Sequence, residues 1–202
     1  MSRLEIIRSY YEPKLKKELS DYAKLGWESP EAQKLRFDAF LDNIDAEGKS
    51  LLDVGCGLGN LLEYITEKGL NMRYTGVDIL AKMVDCAKGK GLSGEFHCHD
   101  IFKENPFGAG SFDIVYASGI FNLDLGNNTA FFSDAFCRFQ TLARETIAFS
   151  LLDYRSPGRE EGYAYFSPAE IIKTIESSAC RPKRVQIIEQ HLSNDFTVIC
   201  QK

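Results

Sequence analysis

The sequence predicts an α/β fold: a largely parallel sheet with helices on both faces, finished by an antiparallel hairpin. Three observations carry that expectation. Between residues 50 and 152, short β-rich runs alternate with helical ones. The run Phe112-Asp113-Ile114-Val115-Tyr116-Ala117 is mostly apolar, as a strand buried on both faces must be. Near the end, two strand-like runs, 184–192 and 195–201, are split only by Ser193-Asn194, a spacing that sets them antiparallel.

The elements follow in order. Residues 3–25 carry apolar side chains at helical spacing, from Leu4 and Ile7 to Leu19 and Tyr22, and Pro13 should interrupt or kink them. A second helix should start at Ser29-Pro30-Glu31, because serine caps, proline suits the first turn and glutamate complements the dipole. After Gly48 the texture changes. Strands are expected at 50–54, 72–77, 95–99, 112–117 and 146–152, with helices at 59–68, 80–88 and 129–143. Gly69 is placed to end the first of these helices. Ser167-Pro168-Ala169-Glu170 reads as a capping box opening a helix to about Ala179. Residues 1–47 thus form a helical extension and 48–202 the core of one structural domain.

Composition narrows the function classes. The chain has 202 residues, 44% hydrophobic, enough for a core without staples. The net charge of −5 argues against a broad nucleic-acid footprint, which needs a basic face. The six cysteines make no C-x-x-C and no zinc or disulfide framework, so reduced thiols and a cytoplasmic setting are expected. No signal peptide and no membrane-length apolar run is read in the sequence. His97 and His99 should share one strand face, but no third metal ligand stands nearby.

The most informative stretch is Leu51-Leu52-Asp53-Val54-Gly55-Cys56-Gly57-Leu58-Gly59-Asn60. An apolar strand runs into a glycine turn, and a helix begins at once. Asp53, Gly55, Gly57 and Gly59 make D-x-G-x-G-x-G. The dinucleotide pattern G-x-G-x-x-G would need glycine where Asn60 stands. Twenty-five positions after Asp53, Asp78 ends the second strand, and Asp100 ends the third. This series resembles the class I S-adenosylmethionine-dependent methyltransferases. The terminal hairpin is a second resemblance to them. The segment Trp27–Arg36 is similar to a group of small bacterial members.

The resemblance implies a Rossmann-like seven-stranded sheet of order 3-2-1-4-5-7-6, strand 7 antiparallel, with an N-terminal helical cover. It implies S-adenosyl-L-methionine as cofactor and S-adenosyl-L-homocysteine as product. The glycine loop, with Cys56 in it, would receive the methionyl end, Asp53 would orient the loop, and Arg36 would meet the carboxylate. Asp78 would accept the ribose hydroxyls and Ile79 would pack on adenine. Asp100 and the Ile101 amide would bind the adenine edge, and Ser118 would lie near the sulfonium. Apart from Arg36, all stand at carboxyl ends of predicted parallel strands, where open sheets place ligands.

No catalytic residue is fixed by these motifs. Asn122, Asp153, Tyr154 and His191 are pocket candidates by position alone. Tyr10, Tyr11, Tyr22 and Trp27 fit a lid or a core, and Phe131, Phe132, Phe136 and Phe139 read as core. The expected function is methyl transfer to a small-molecule acceptor, with no nucleic-acid or membrane partner. A protein or RNA methyltransferase and a non-catalytic cofactor binder are the alternatives. The element after the fourth strand, Ser118-Gly119-Ile120-Phe121, departs from the Asn/Asp-Pro-Pro-Tyr/Phe of amino-directed nucleic-acid enzymes.

Overall fold

The computed structural model describes residues 1–189 and 192–202. Three helices come first: α1 (Arg3–Leu15), α2 (Asp21–Leu25) and α3 (Pro30–Leu41). Alternation then begins with β1 (Ser50–Val54), α4 (Asn60–Glu67), β2 (Arg73–Asp78), α5 (Ala81–Gly89) and β3 (Glu95–Cys98). It continues with β4 (Phe112–Ser118), α6 (Asn128–Leu142), β5 (Ala143–Leu152), α7 (Pro168–Ser177), β6 (Arg184–Ile188) and β7 (Asp195–Gln201). The strand order is β3-β2-β1-β4-β5-β7-β6. All pairings are parallel except those of β7 with β5 and β6. The expected order and the reversed last strand are both present.

The topology fixes where a ligand can sit. From β1 the chain builds outward to β3, then returns to β4 on the other side. The connections leaving β1 and β4 diverge, so a crevice opens at their carboxyl ends. Both sheet faces are closed by apolar side chains. On one, Phe132, Phe136 and Phe139 of α6 pack on Phe149 of β5. On the other, Phe40 of α3 stacks on Tyr116 of β4 with ring centroids 3.9 Å apart. Each such fully buried side chain contributes about 1.5–3 kcal/mol. Among the described residues, no helix is long and apolar enough to cross a membrane.

Three local expectations change. The break in the first helical segment falls after Leu15, with Pro13 inside the last turn of α1, where few later amides are lost. Ser167 precedes α7 but makes no side-chain cap bond. The capping box is instead at Ser2 and Glu5, each side chain bonded to the other's backbone amide. β6 stops at Ile188, short of the predicted run.

Candidate functional site

β1 delivers the chain into a left-handed turn. Gly55 has φ +79°, and a Cβ there would lie 2.2 Å from Ile120 Cγ2. Only glycine fits that backbone and that space. The loop is tied to the end of β2: the Gly55 and Cys56 amides donate to the Val77 carbonyl at 2.8 and 3.0 Å. The Gly57 amide donates to Asp78 Oδ2 at 3.0 Å. These amides are committed inward, so the loop offers shape more than donors at these positions. The Cys56 side chain packs toward Gly76, and burial pushes its thiol well up.

Three carboxylates follow along the carboxyl ends of β1, β2 and β3. Asp53 is buried and accepts from the Tyr74 hydroxyl at 2.6 Å. Burial pushes its pKa up to about 7, against the hydrogen bond from Tyr74. Asp78 is raised by burial too, opposed by the backbone amides it accepts, including Leu80 at 2.9 Å. Asp100, two residues beyond β3, is held by Arg3 of α1, whose Nη2 lies 2.5 Å from both carboxylate oxygens. The Arg3 guanidinium sits 4.8 Å over Phe102 and 4.9 Å over Phe131. Phe131 is therefore partly a cavity residue, not core alone.

A cavity of about 220 Å³ opens over these groups. Among the predicted residues, Arg36, Asp53, Gly55, Cys56, Gly57, Asp78, Ile79, Asp100, Ile101, Ser118 and Asn122 line it. Gly59 shapes the turn into α4 without lining the cavity. Asp153 and Tyr154 do not line it either. Arg155 holds the Asp153 carboxylate, lowering its pKa against the effect of burial, and Tyr154 is half exposed. His191 lies outside the described residues. His97 and His99 share a face with ring centroids 6.3 Å apart, and His99 lines the cavity.

The cover comes from the N-terminal helices. Ile7 and Tyr11 of α1, Leu25 and Trp27 around the end of α2, and Gln33 of α3 complete the walls. Arg36 is 2% exposed. Its Nε donates to Asp195 Oδ2 at 2.6 Å and its Nη2 pairs with the same carboxylate. Its guanidinium lies 4.2 Å over the Trp27 ring, and Nη1 is 3.5 Å from Ser118 Oγ. The Tyr10 and Tyr163 hydroxyls are hydrogen-bonded, joining α1 to the segment after β5. Arg3, Tyr163 and Tyr165 carried no sequence signal, because their roles depend on contacts far apart in the chain.

A family model described as a methyltransferase domain matches residues 51–138, which span the glycine loop, Asp78, Asp100 and most of α6. Residues 51–138 thus carry the likeness to a methyltransferase domain, and the chain as a whole shares a fold with solved methyltransferases. A solved structure with the same fold is the magnesium protoporphyrin IX methyltransferase from Synechocystis PCC 6803 with bound S-adenosylhomocysteine. It is 16% identical, with 100% of both chains covered and a TM-score of 0.69. A probable 18S rRNA (guanine-N(7))-methyltransferase from Dictyostelium discoideum is 43% identical over 34% of this chain and 23% of its own length. A malonyl-[acyl-carrier protein] O-methyltransferase from Acetivibrio thermocellus is 29% identical over 63% of this chain and 49% of its own length. The chain thus spans half or less of the length of these two curated relatives.

Proposed function

We propose that this chain transfers a methyl group in line from S-adenosylmethionine to a small-molecule acceptor. The observation that carries the reading is the cavity itself. A glycine cradle and three carboxylates, in the family's order, face a space covered by the chain's own helices. Partial cover by its own helices and a net charge of −5 favour a small acceptor over a long polyanion. An RNA acceptor is the second reading, supported by the partial likeness to the rRNA enzyme.

The residues present fit the cofactor. A Cβ at Gly55 or Gly57 would fill the cradle, and the buried Oδ1 of Asn60 has no hydrogen-bond partner among the described residues. When bound, S-adenosylmethionine supplies a methyl carbon on a sulfonium. Arg36 Nη1, beside Ser118, would meet the methionyl carboxylate. Asp78 keeps lone pairs beyond those used by Gly57 and Leu80, so it can accept ribose hydroxyls without releasing the loop. Asp100 would take the adenine amine in company with Arg3. The chain aligns and desolvates its reactants, and proximity supplies the acceleration.

Titration calorimetry tests this directly. Heat is expected with S-adenosylmethionine and S-adenosylhomocysteine, and Asp78→Ala should weaken binding by about 1–3 kcal/mol. No heat with either ligand would remove the reading. Heat without turnover on any acceptor would leave a non-catalytic binder.

Asp53 gives the binding a pH dependence. The folded chain holds its proton up to about pH 7, whereas the ordinary value is 3.8. Its contribution to stability therefore falls as pH rises from about 4 to about 7 and is constant above. A bound ammonium favours the ionised form. Affinity for S-adenosylhomocysteine should then drop on acidification below 7, approaching about tenfold per pH unit. Calorimetry at pH 6 in buffers of different ionisation enthalpy should show a proton released on binding. Asp53→Asn should abolish that release.

A further inference from the structure

We propose that the acceptor is a small aromatic molecule presenting an N–H or O–H donor and no anionic group, and that Asn122 orients it. The inference rests on the methyltransferase reading above and names its substrate class. The strand order divides the cavity into halves. The turns after β1, β2 and β3 make one half, with the glycine loop, Asp78 and Asp100. The turn after β4, the segment after β5 and the residues before β7 make the other, which holds none of the cofactor carboxylates.

Asn122 stands in that second half on a fixed backbone. Its amide donates to the Gly119 carbonyl at 3.2 Å, and its carbonyl accepts from the Ala164 amide at 2.8 Å. Its side-chain Oδ1 is buried and has no hydrogen-bond partner among the described residues. A buried amide oxygen left unpaired is costly, and a ligand donor removes that cost. The bonded backbone holds the Asn122 Cα in place for such a donor.

The wall and the charges select what carries the donor. Leu123, Leu152 and Tyr163 supply an apolar and aromatic surface. The Tyr163 hydroxyl is spent on Tyr10, which leaves its ring as the useful part. Two arginines line the cavity, and neither is left for the acceptor: Arg3 holds Asp100, while Arg36 holds Asp195 through Nε and Nη2 and would give Nη1 to the methionyl carboxylate. Glu160 adds a negative charge to the acceptor half. An anionic acceptor would therefore meet a carboxylate and no uncommitted lysine or arginine among the described lining residues, which discriminates against it.

Ligand-observed NMR on protein saturated with S-adenosylhomocysteine tests this with three probes of one shape. Indole carries an N–H donor, 1-methylindole lacks it, and indole-3-carboxylate adds a negative charge. Indole is expected to bind about tenfold more tightly than either, and Asn122→Leu should bring indole down to the level of 1-methylindole. S-adenosylhomocysteine affinity, measured on each protein, reports that the fold and cofactor half are intact. Equal binding of indole and 1-methylindole overturns the proposal. So does preference for the carboxylate, or no binding of any probe to protein that holds S-adenosylhomocysteine. If S-adenosylhomocysteine itself fails to bind, the methyltransferase reading falls and this inference falls with it.

Discussion

Arg36→Ala is expected to destabilise the fold by about 3–5 kcal/mol, the range for removing one partner of a buried ion pair. Arg36 and Asp195 have side-chain exposures of 2% and 0%. The substitution strips a fully buried carboxylate of its cation and removes the guanidinium from the Trp27 ring. In a chain of this length the melting temperature should fall by about 10 °C. Lysine should rescue little, since one ammonium cannot bond through both Nε and Nη2 or stack on the indole. Pairing Arg36→Met with Asp195→Leu should recover most of the stability, because the desolvation cost of both charges disappears together. Urea denaturation of the four proteins gives the answer. A loss under about 1 kcal/mol for Arg36→Ala would show that water reaches the pair.

This pair marks where sequence reading stops. Arg36 was expected at the methionyl end from the family resemblance, and it does line the cavity. Its partner lies 159 positions away on β7, and no local pattern encodes that distance. Elements with a period or a terminator were legible: the apolar β4, the glycine loop, the Ser29 cap that accepts from Ala32 at 3.0 Å, and the terminal hairpin. The cavity carboxylates Asp53, Asp78 and Asp100 were legible as well, since each stands at or just beyond a strand end. The cover was not. Arg3 and Tyr163 act through contacts spanning 97 and 153 positions, and aromatics at helical spacing read equally as core. Asp153 misled because strand-end position names a region and not a direction. Its carboxylate turned to Arg155, two residues on.

Gly55→Ala should cost the chain its cofactor while leaving most of its fold. A methyl group at Gly55 would stand 2.2 Å from Ile120 Cγ2, too close to persist without movement. The left-handed backbone adds about 1–2 kcal/mol of strain for any residue with a Cβ. Overpacking of this kind adds about 1–3 kcal/mol more. Both are relieved by the same motion, a withdrawal of the loop that breaks the 2.8 Å bond from the Gly55 amide to Val77. The cradle then loses its shape, so affinity for S-adenosylhomocysteine should fall at least about thirtyfold. Gly69 supplies the control. It also has positive φ, at +68°, but nothing lies within 4 Å of its added Cβ. Gly69→Ala should therefore cost about 1 kcal/mol of stability and leave the affinity unchanged. Ile120→Ala in the Gly55→Ala background removes the overlap but not the strain, and should restore only part of the affinity. The ordering of the four affinities separates space from backbone geometry as the reason for glycine. Unchanged binding in Gly55→Ala would put the cofactor somewhere other than this loop.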